Sequence, residues 1–316
     1  MERLPAACMK QSLGKNVWAK KIIFFLPAYR EDEFEEVLES CEHLVFNSFS
    51  QLECFGERAA KAGKSVGIRV NPECSTQGEH AIYDPCAPGS RLGILVSEFP
   101  ETLPSYVEGL HFHTLCEQNA DALEITLKAV EEKFGKWMKQ LKWVNFGGGH
   151  HITRADYDRE LLISCVRRIQ DTYNVQVYLE PGEAVALNAG HLITTVEDIV
   201  HNDIAVLDVS AACHMPDVIE MPYRPPLFDS GEAKEKEYTY LLGGPTCLAG
   251  DVIGSYSFDQ PLKVGDRLTF GDMAIYTTVK NNTFNGMRLP DIVWERESGE
   301  CEIVKSFGYE DFKCRL

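Results

Sequence analysis

Two rhythms of apolar and polar residues run along this chain, and the point where one replaces the other divides it. From residue 22 onward, short apolar runs alternate with stretches that place apolar residues every three or four positions, the signature of strand followed by amphipathic helix. Residues 22–26 read as a buried strand and residues 31–41 as a helix with Phe34, Val37 and Leu38 on one face. A strand at 43–47, a helix at 51–62 and a strand at 65–70 continue the alternation. Residues 73–100 interrupt it with Pro85, Pro88, Pro100 and several glycines, a length that usually marks a functional loop. The alternation then returns with strands at 110–115, from 143 and at 175–179, and with helices at 120–134 and 156–173. That makes about six strand-helix units, each strand ending in polar or glycine residues, where a barrel of alternating strands and helices keeps its chemistry. A complete (β/α)8 barrel needs eight. After about residue 188 the pattern changes to short strands with turn signals, at 192–196, 204–209, 238–242, 266–270 and 303–307. The expected organisation is a partial barrel over 1–187 and a mainly β domain over 188–316. Residues 1–21 show no persistent period.

Composition narrows the setting. No run approaches the ~20 uninterrupted apolar residues of a membrane span, and none before Ile22 resembles a secretory signal, so a cytoplasmic location is expected. The 11 cysteines are scattered without a C-x-x-C pair, so they encode neither a zinc knuckle nor a disulfide framework. A formal net charge of −17 disfavours nucleic acid and anionic membrane as partners and would draw a cationic small substrate inward, although solubility alone explains it more simply.

The candidate chemistry gathers at strand ends. Gly147-Gly148-Gly149 follows the apolar run from Trp143, and polar residues lead from it into the next helix. Three glycines allow a sharp turn and close approach of backbone amides to a ligand, and a phosphate is the natural guest. The next strand ends in Glu180-Pro181-Gly182, so a phosphate cradle and a carboxylate are expected on neighbouring strand ends, as in a cofactor site. His111 and His113 stand two apart on a strand and His150-His151 follow the glycines, which leaves a metal-dependent barrel hydrolase as an alternative. The C-terminal half offers Gly243-Gly244-Pro245-Thr246-Cys247 through Asp251, together with 274–277 and 283–286, which read most simply as turns and a strand.

Taken together and in this order, Gly147-Gly148-Gly149, Glu180-Pro181-Gly182-Glu183, Gly244-Pro245-Thr246-Cys247 and Tyr276 followed by Thr283-Phe284-Asn285-Gly286 resemble the pyridoxal-phosphate decarboxylases of the alanine-racemase fold. The stretches 110–117, 180–183 and 214–225 are most similar to the branch that acts on carboxylated polyamines, carboxynorspermidine or carboxyspermidine. The resemblance implies a PLP-binding barrel with a C-terminal β domain, pyridoxal 5'-phosphate as cofactor and a homodimer with shared active sites. It also implies residue roles. Gly147, Gly148, Gly149 and the Tyr276 hydroxyl would hold the phosphate, Glu180 would face the pyridine nitrogen, and His113 would stack on the ring. Cys247, supplied by the partner subunit, would protonate the carbanion, with Asp251 close by as a substrate-binding residue. Arg224 would pair with the substrate carboxylate and Asp217 with a substrate amine.

The family attaches its cofactor through a lysine on the first barrel strand. Residues 6–14 look like a remnant of the second strand and its helix start, which places the lysine strand before Met1, and Lys10, Lys15, Lys20 and Lys21 stand in the wrong context to replace it. The chain as written is therefore expected to lack turnover, as a truncated product or as a non-catalytic homologue that binds polyamine, cofactor or a subunit partner.

Overall fold

A computed structural model describes residues 22–78, 81–201 and 203–316. The segment 6–14 and the lysines at 10, 15, 20 and 21 lie outside the described residues. The chain separates into two compact units, Met1–Val185 and Ala186–Leu316.

In the first unit six strands form one parallel sheet in chain order: β1 (Ile23–Phe25), β2 (His43–Phe46), β3 (Ser65–Arg69), β4 (Val107–His111), β5 (Trp143–Asn145) and β6 (Gln176–Tyr178). Sequential parallel neighbours with helical crossovers are the architecture of a (β/α) barrel, here over six strands. Helix Ala120–Met138 shows why the crossovers form. Asn119 caps its first turn, and Leu123, Leu127, Val130 and Phe134 recur at helical spacing and are fully buried. Helix Arg159–Tyr173 starts where Asp158 accepts from the Leu161 amide and ends at Asn174 in the left-handed conformation, φ 54°. At the amino ends of the strands the Trp143 indole fills space that two glycines leave open. A Cβ on Gly109 would lie 1.9 Å from its Cε2 and one on Gly67 2.3 Å from its Cη2, while its Nε1 donates to Ser65 Oγ at 2.8 Å. Among the described residues of the excursion after β3 are two 3-10 turns, Ala81–Tyr83 and Val96–Glu98, and an isolated parallel bridge of Ile94 to Val70.

The second unit carries a five-stranded sheet made of β7 (Leu192–Val200), β8 (Ile204–Leu207), β9 (Tyr238–Gly243), β10 (Val252–Phe258) and β11 (Arg267–Phe270), in the order β10-β9-β8-β7-β11. Among the described residues of this sheet, β8 and β9 pair in parallel and the other neighbours are antiparallel. Val196, Leu207, Leu242, Tyr256 and Phe270 are buried within it. A separate hairpin joins β12 (Ile292–Glu295) and β13 (Cys301–Lys305). Residues 276–280 depart from the expected strand at 274–277: Tyr276–Lys280 is a short helix, with Thr278 Oγ1 donating to the Met273 carbonyl at 3.2 Å. Among the described residues no helix is long and apolar enough to cross a membrane.

Candidate cofactor site at the strand ends

The carboxyl ends of β4, β5 and β6 converge on one carboxylate. β5 ends at Asn145, which is fully buried, and its side chain works in two directions: Nδ2 donates to Glu180 Oε1 at 2.7 Å and Oδ1 accepts the Gly147 amide at 2.9 Å. The Glu180 amide in turn donates to the Gly147 carbonyl at 2.8 Å, so the glycine loop and the carboxylate are tied at both side chain and backbone. On the other side His111 Nε2 lies 3.5 Å from Glu180 Oε2.

The glycines are required by their surroundings. Gly147 and Gly149 have φ of +71° and +80°, and a Cβ on Gly149 would meet the Leu115 carbonyl oxygen at 2.2 Å. Gly148 sits against the Glu180 carbonyl, 2.7 Å from where its Cβ would be, and its amide donates to His113 Nδ1 at 3.3 Å. That bond makes Nδ1 an acceptor and puts the imidazole proton on Nε2. Two of the loop amides are thus already bonded within the chain. The helix that follows begins only at Arg159, with Asp158 on its first turn, so it does not spring directly from the glycines.

The charges are set by burial and by these partners. Burial works to raise the Glu180 pKa, but the His111 ring beside it and the hydrogen bond from Asn145 outweigh it and hold the carboxyl down, at about 2. His111 is pushed below the usual histidine range by burial, which Glu180 only partly counters, so this pair is carboxylate and neutral imidazole at pH 7. Burial, with Arg69 adding to it, brings His113 down to about 4, and burial does the same to His150. Arg69 is itself buried over the Phe25 ring, 4.6 Å from its centroid, and burial lowers it to about 10, still protonated at neutral pH. Its Nη2 reaches the His113 carbonyl at 3.5 Å. Asn145 and Arg69 escape a reading of the sequence alone. The sequence signals that could have found them are an amide at the last strand position before the glycines and a buried charge at a strand end.

His113 carries a pH prediction. An unfolded histidine titrates near ~6.5, so below that pH the unfolded chain takes up a proton that the folded chain refuses until about 4. Stability is complete above pH ~6.5 and falls as pH drops toward 4, by about 2–3 kcal/mol from this residue. Urea unfolding at pH 7 and pH 4.5 should show a smaller loss in His113→Asn than in the unsubstituted chain; equal losses would contradict it.

A planar pyridine with a phosphate fits this arrangement. An ionised carboxylate, 38% exposed, stands ready for a ring N–H beside a loop that tolerates no Cβ, and the buried His111 and His150 rings leave nitrogen atoms without a hydrogen-bond partner among the described residues. The comparisons decide the lineage. A family model described as "Pyridoxal-dependent decarboxylase, C-terminal sheet domain" matches residues 30–274. The chain belongs to the pyridoxal-dependent decarboxylases. Within this family of decarboxylases it is 46% identical to a carboxynorspermidine/carboxyspermidine decarboxylase of Campylobacter jejuni, over 96% of this chain and 82% of that one. It is 41% identical to a carboxyaminopropylagmatine decarboxylase of Synechocystis, over 96% of this chain and 79% of that one. The crystal structure of the Campylobacter jejuni carboxynorspermidine decarboxylase with norspermidine superposes with a TM-score of 0.85 at 45% identity, covering 94% of this chain and 81% of that one. Membership in this decarboxylase family replaces the metal-hydrolase alternative, and His111 and His113 belong to no metal-ligand cluster among the described residues.

The remaining candidates lie in the second unit. Cys247 is exposed between β9 and β10, and Asn285 Nδ2 donates to its Sγ at 2.8 Å. Asp251 is buried and accepts from Ser210 Oγ at 2.9 Å, the Ala212 amide at 3.2 Å, Thr246 Oγ1 at 2.7 Å and the Thr246 amide at 3.3 Å, so it shapes the Cys247 loop. Arg224 pairs with Glu232 and covers the Tyr256 ring at 4.6 Å, and Asp217 pairs with Lys280. Both charges expected to meet substrate thus have partners within the chain. Tyr276, half exposed, opens its short helix.

Proposed function

We propose that this chain provides the site of a decarboxylase for a carboxylated polyamine, carboxynorspermidine or carboxyspermidine. The observation that carries the reading is the ionised Glu180 tied to the glycine loop in a chain that shares 46% of its residues with a decarboxylase of that name. Glu180 would hold a proton on the pyridine nitrogen, because a carboxylate at that atom favours its charged form. Gly147, Gly148 and Gly149 would give the phosphate room, and the Tyr276 hydroxyl would donate to it. His113 would stack on the ring. Bound pyridoxal 5'-phosphate supplies an electron sink for the pair released with carbon dioxide. Cys247 Sγ, oriented by Asn285 and supplied by the partner subunit of the homodimer, would deliver the proton that replaces the carboxylate. Asp251 holds that loop in place, which is a positioning task suited to its four internal donors. Arg224 and Asp217 reach substrate only by exchanging Glu232 and Lys280 for its carboxylate and amine.

Ligand choice tests the reading. With pyridoxal 5'-phosphate present, calorimetry should show norspermidine and spermidine binding at least about tenfold more tightly than lysine or putrescine, a difference of ~1.4 kcal/mol. Tighter binding of lysine or putrescine would point to a diaminopimelate- or ornithine-type site, and tighter binding of aminopropylagmatine to the activity named for the Synechocystis relative. The working unit in this reading is a homodimer, so sedimentation should give twice the mass of one chain; a monomer at micromolar concentration would remove the shared site.

A further inference from the structure

Beside the glycine loop, and apart from the groups assigned above, three further side chains converge from successive strand ends: Glu117 after β4, His151 after β5 and Glu183 after β6. Each offers one ligand atom, and the three atoms lie within 4.8 Å of one another. The backbone brings them together. The Gln118 amide donates to the Gly149 carbonyl at 2.9 Å and the His151 amide to the Gln118 carbonyl at 3.4 Å, which zips the first two segments. Thr153 Oγ1 donates to the Ala184 carbonyl at 2.7 Å and ties the second to the third. We propose that Glu117, His151 and Glu183 bind a divalent metal cation at the mouth of the barrel.

The chemistry favours a cation over a self-contained cluster. His151 is only 7% exposed, yet its Nδ1 has no hydrogen-bond partner among the described residues. Its Nε2 lies 3.4 Å from Glu183 Oε2, close to the ~3.4 Å edge of a tetrahedron with bonds of about 2.1 Å, the span that two ligands of one ion would show. Glu117 is exposed and can close the third side. Two carboxylates and an imidazole carry the charge that a dication neutralises, and this mixed oxygen and nitrogen set suits manganese or zinc rather than a soft ion. A bound ion would lock together the three segments that carry His113, the glycine loop and Glu180.

Manganese is the probe because thiols, of which this chain has several, compete for it poorly. Titration of the full chain with Mn2+, followed by the loss of the free-ion electron paramagnetic resonance signal, should show one ion per chain. Glu117→Gln and Glu183→Gln should each weaken binding at least about tenfold. Glu117 is exposed, so Glu117→Gln should keep the circular dichroism spectrum and melting temperature of the unsubstituted chain and report on binding alone. No saturation up to about 1 mM, or affinity unchanged in both variants, would overturn the site. The readout is cation binding without cofactor or substrate, so its failure leaves the decarboxylase reading intact, and the converse holds.

Discussion

Gly149→Val should abolish saturable pyridoxal 5'-phosphate binding and cost the barrel unit on the order of 3 kcal/mol or more of stability. Two independent penalties fall on that position. Its φ of +80° strains any β-branched residue, and a Cβ would stand 2.2 Å from the Leu115 carbonyl oxygen, which belongs to backbone and cannot rotate away. Relief requires the loop to move off β4, which breaks the Gln118 to Gly149 hydrogen bond and separates Gly148 from His113. Gly182→Ala is the matched control: its φ is not positive and nothing lies within 4 Å of its Cβ position. That variant should unfold within about 0.5 kcal/mol of the unsubstituted chain and bind cofactor alike. Calorimetry and urea unfolding of the pair check both halves. Cofactor affinity within threefold in Gly149→Val would remove the loop from the site.

The second large effect is expected at Glu180. Glu180→Ala takes away the acceptor of Asn145 Nδ2, a fully buried group, and a buried donor left unpaired costs about 1–3 kcal/mol. Asn145 also holds the Gly147 amide, so the loop should loosen along with it. Glu180→Gln separates stability from charge, because its carbonyl oxygen can still accept from Asn145 while the negative charge is gone. The glutamine chain should keep most of its stability yet lose the preference for a protonated pyridine. Equal stability loss in the two variants, measured by urea unfolding, would mean that the charge and not the hydrogen bond holds the loop.

How much of this was legible in the sequence follows from where the signals lie. The six barrel strands show themselves because buried parallel strands are short apolar runs, and the crossover helices because Leu123, Leu127, Val130 and Phe134 keep a helical period. The adjacency of the glycine loop and Glu180 was readable for the same reason, since consecutive strands of a barrel are neighbours. Other elements gave no such signal. β10 contains Gly254 and two serines, which blur its alternation, and every residue of β12 is exposed, so neither announces a strand. Thr277, Thr278 and Val279 are β-branched and favour a strand, but local bonds such as Thr278 to Met273 turn them into a helix instead. The partners already held by Arg224, Asp217 and Asp251 depend on tertiary placement, and no spacing in the chain reveals them.

The central claim is that Glu180 keeps the pyridine nitrogen of the cofactor protonated. The most direct measurement is the 15N chemical shift of ring-labelled pyridoxal 5'-phosphate bound to the chain at pH 7. A shift in the pyridinium range, moving to that of neutral pyridine in Glu180→Gln, is the result this account predicts. A neutral pyridine in the unsubstituted chain, or a pyridinium that persists without the carboxylate, would contradict it.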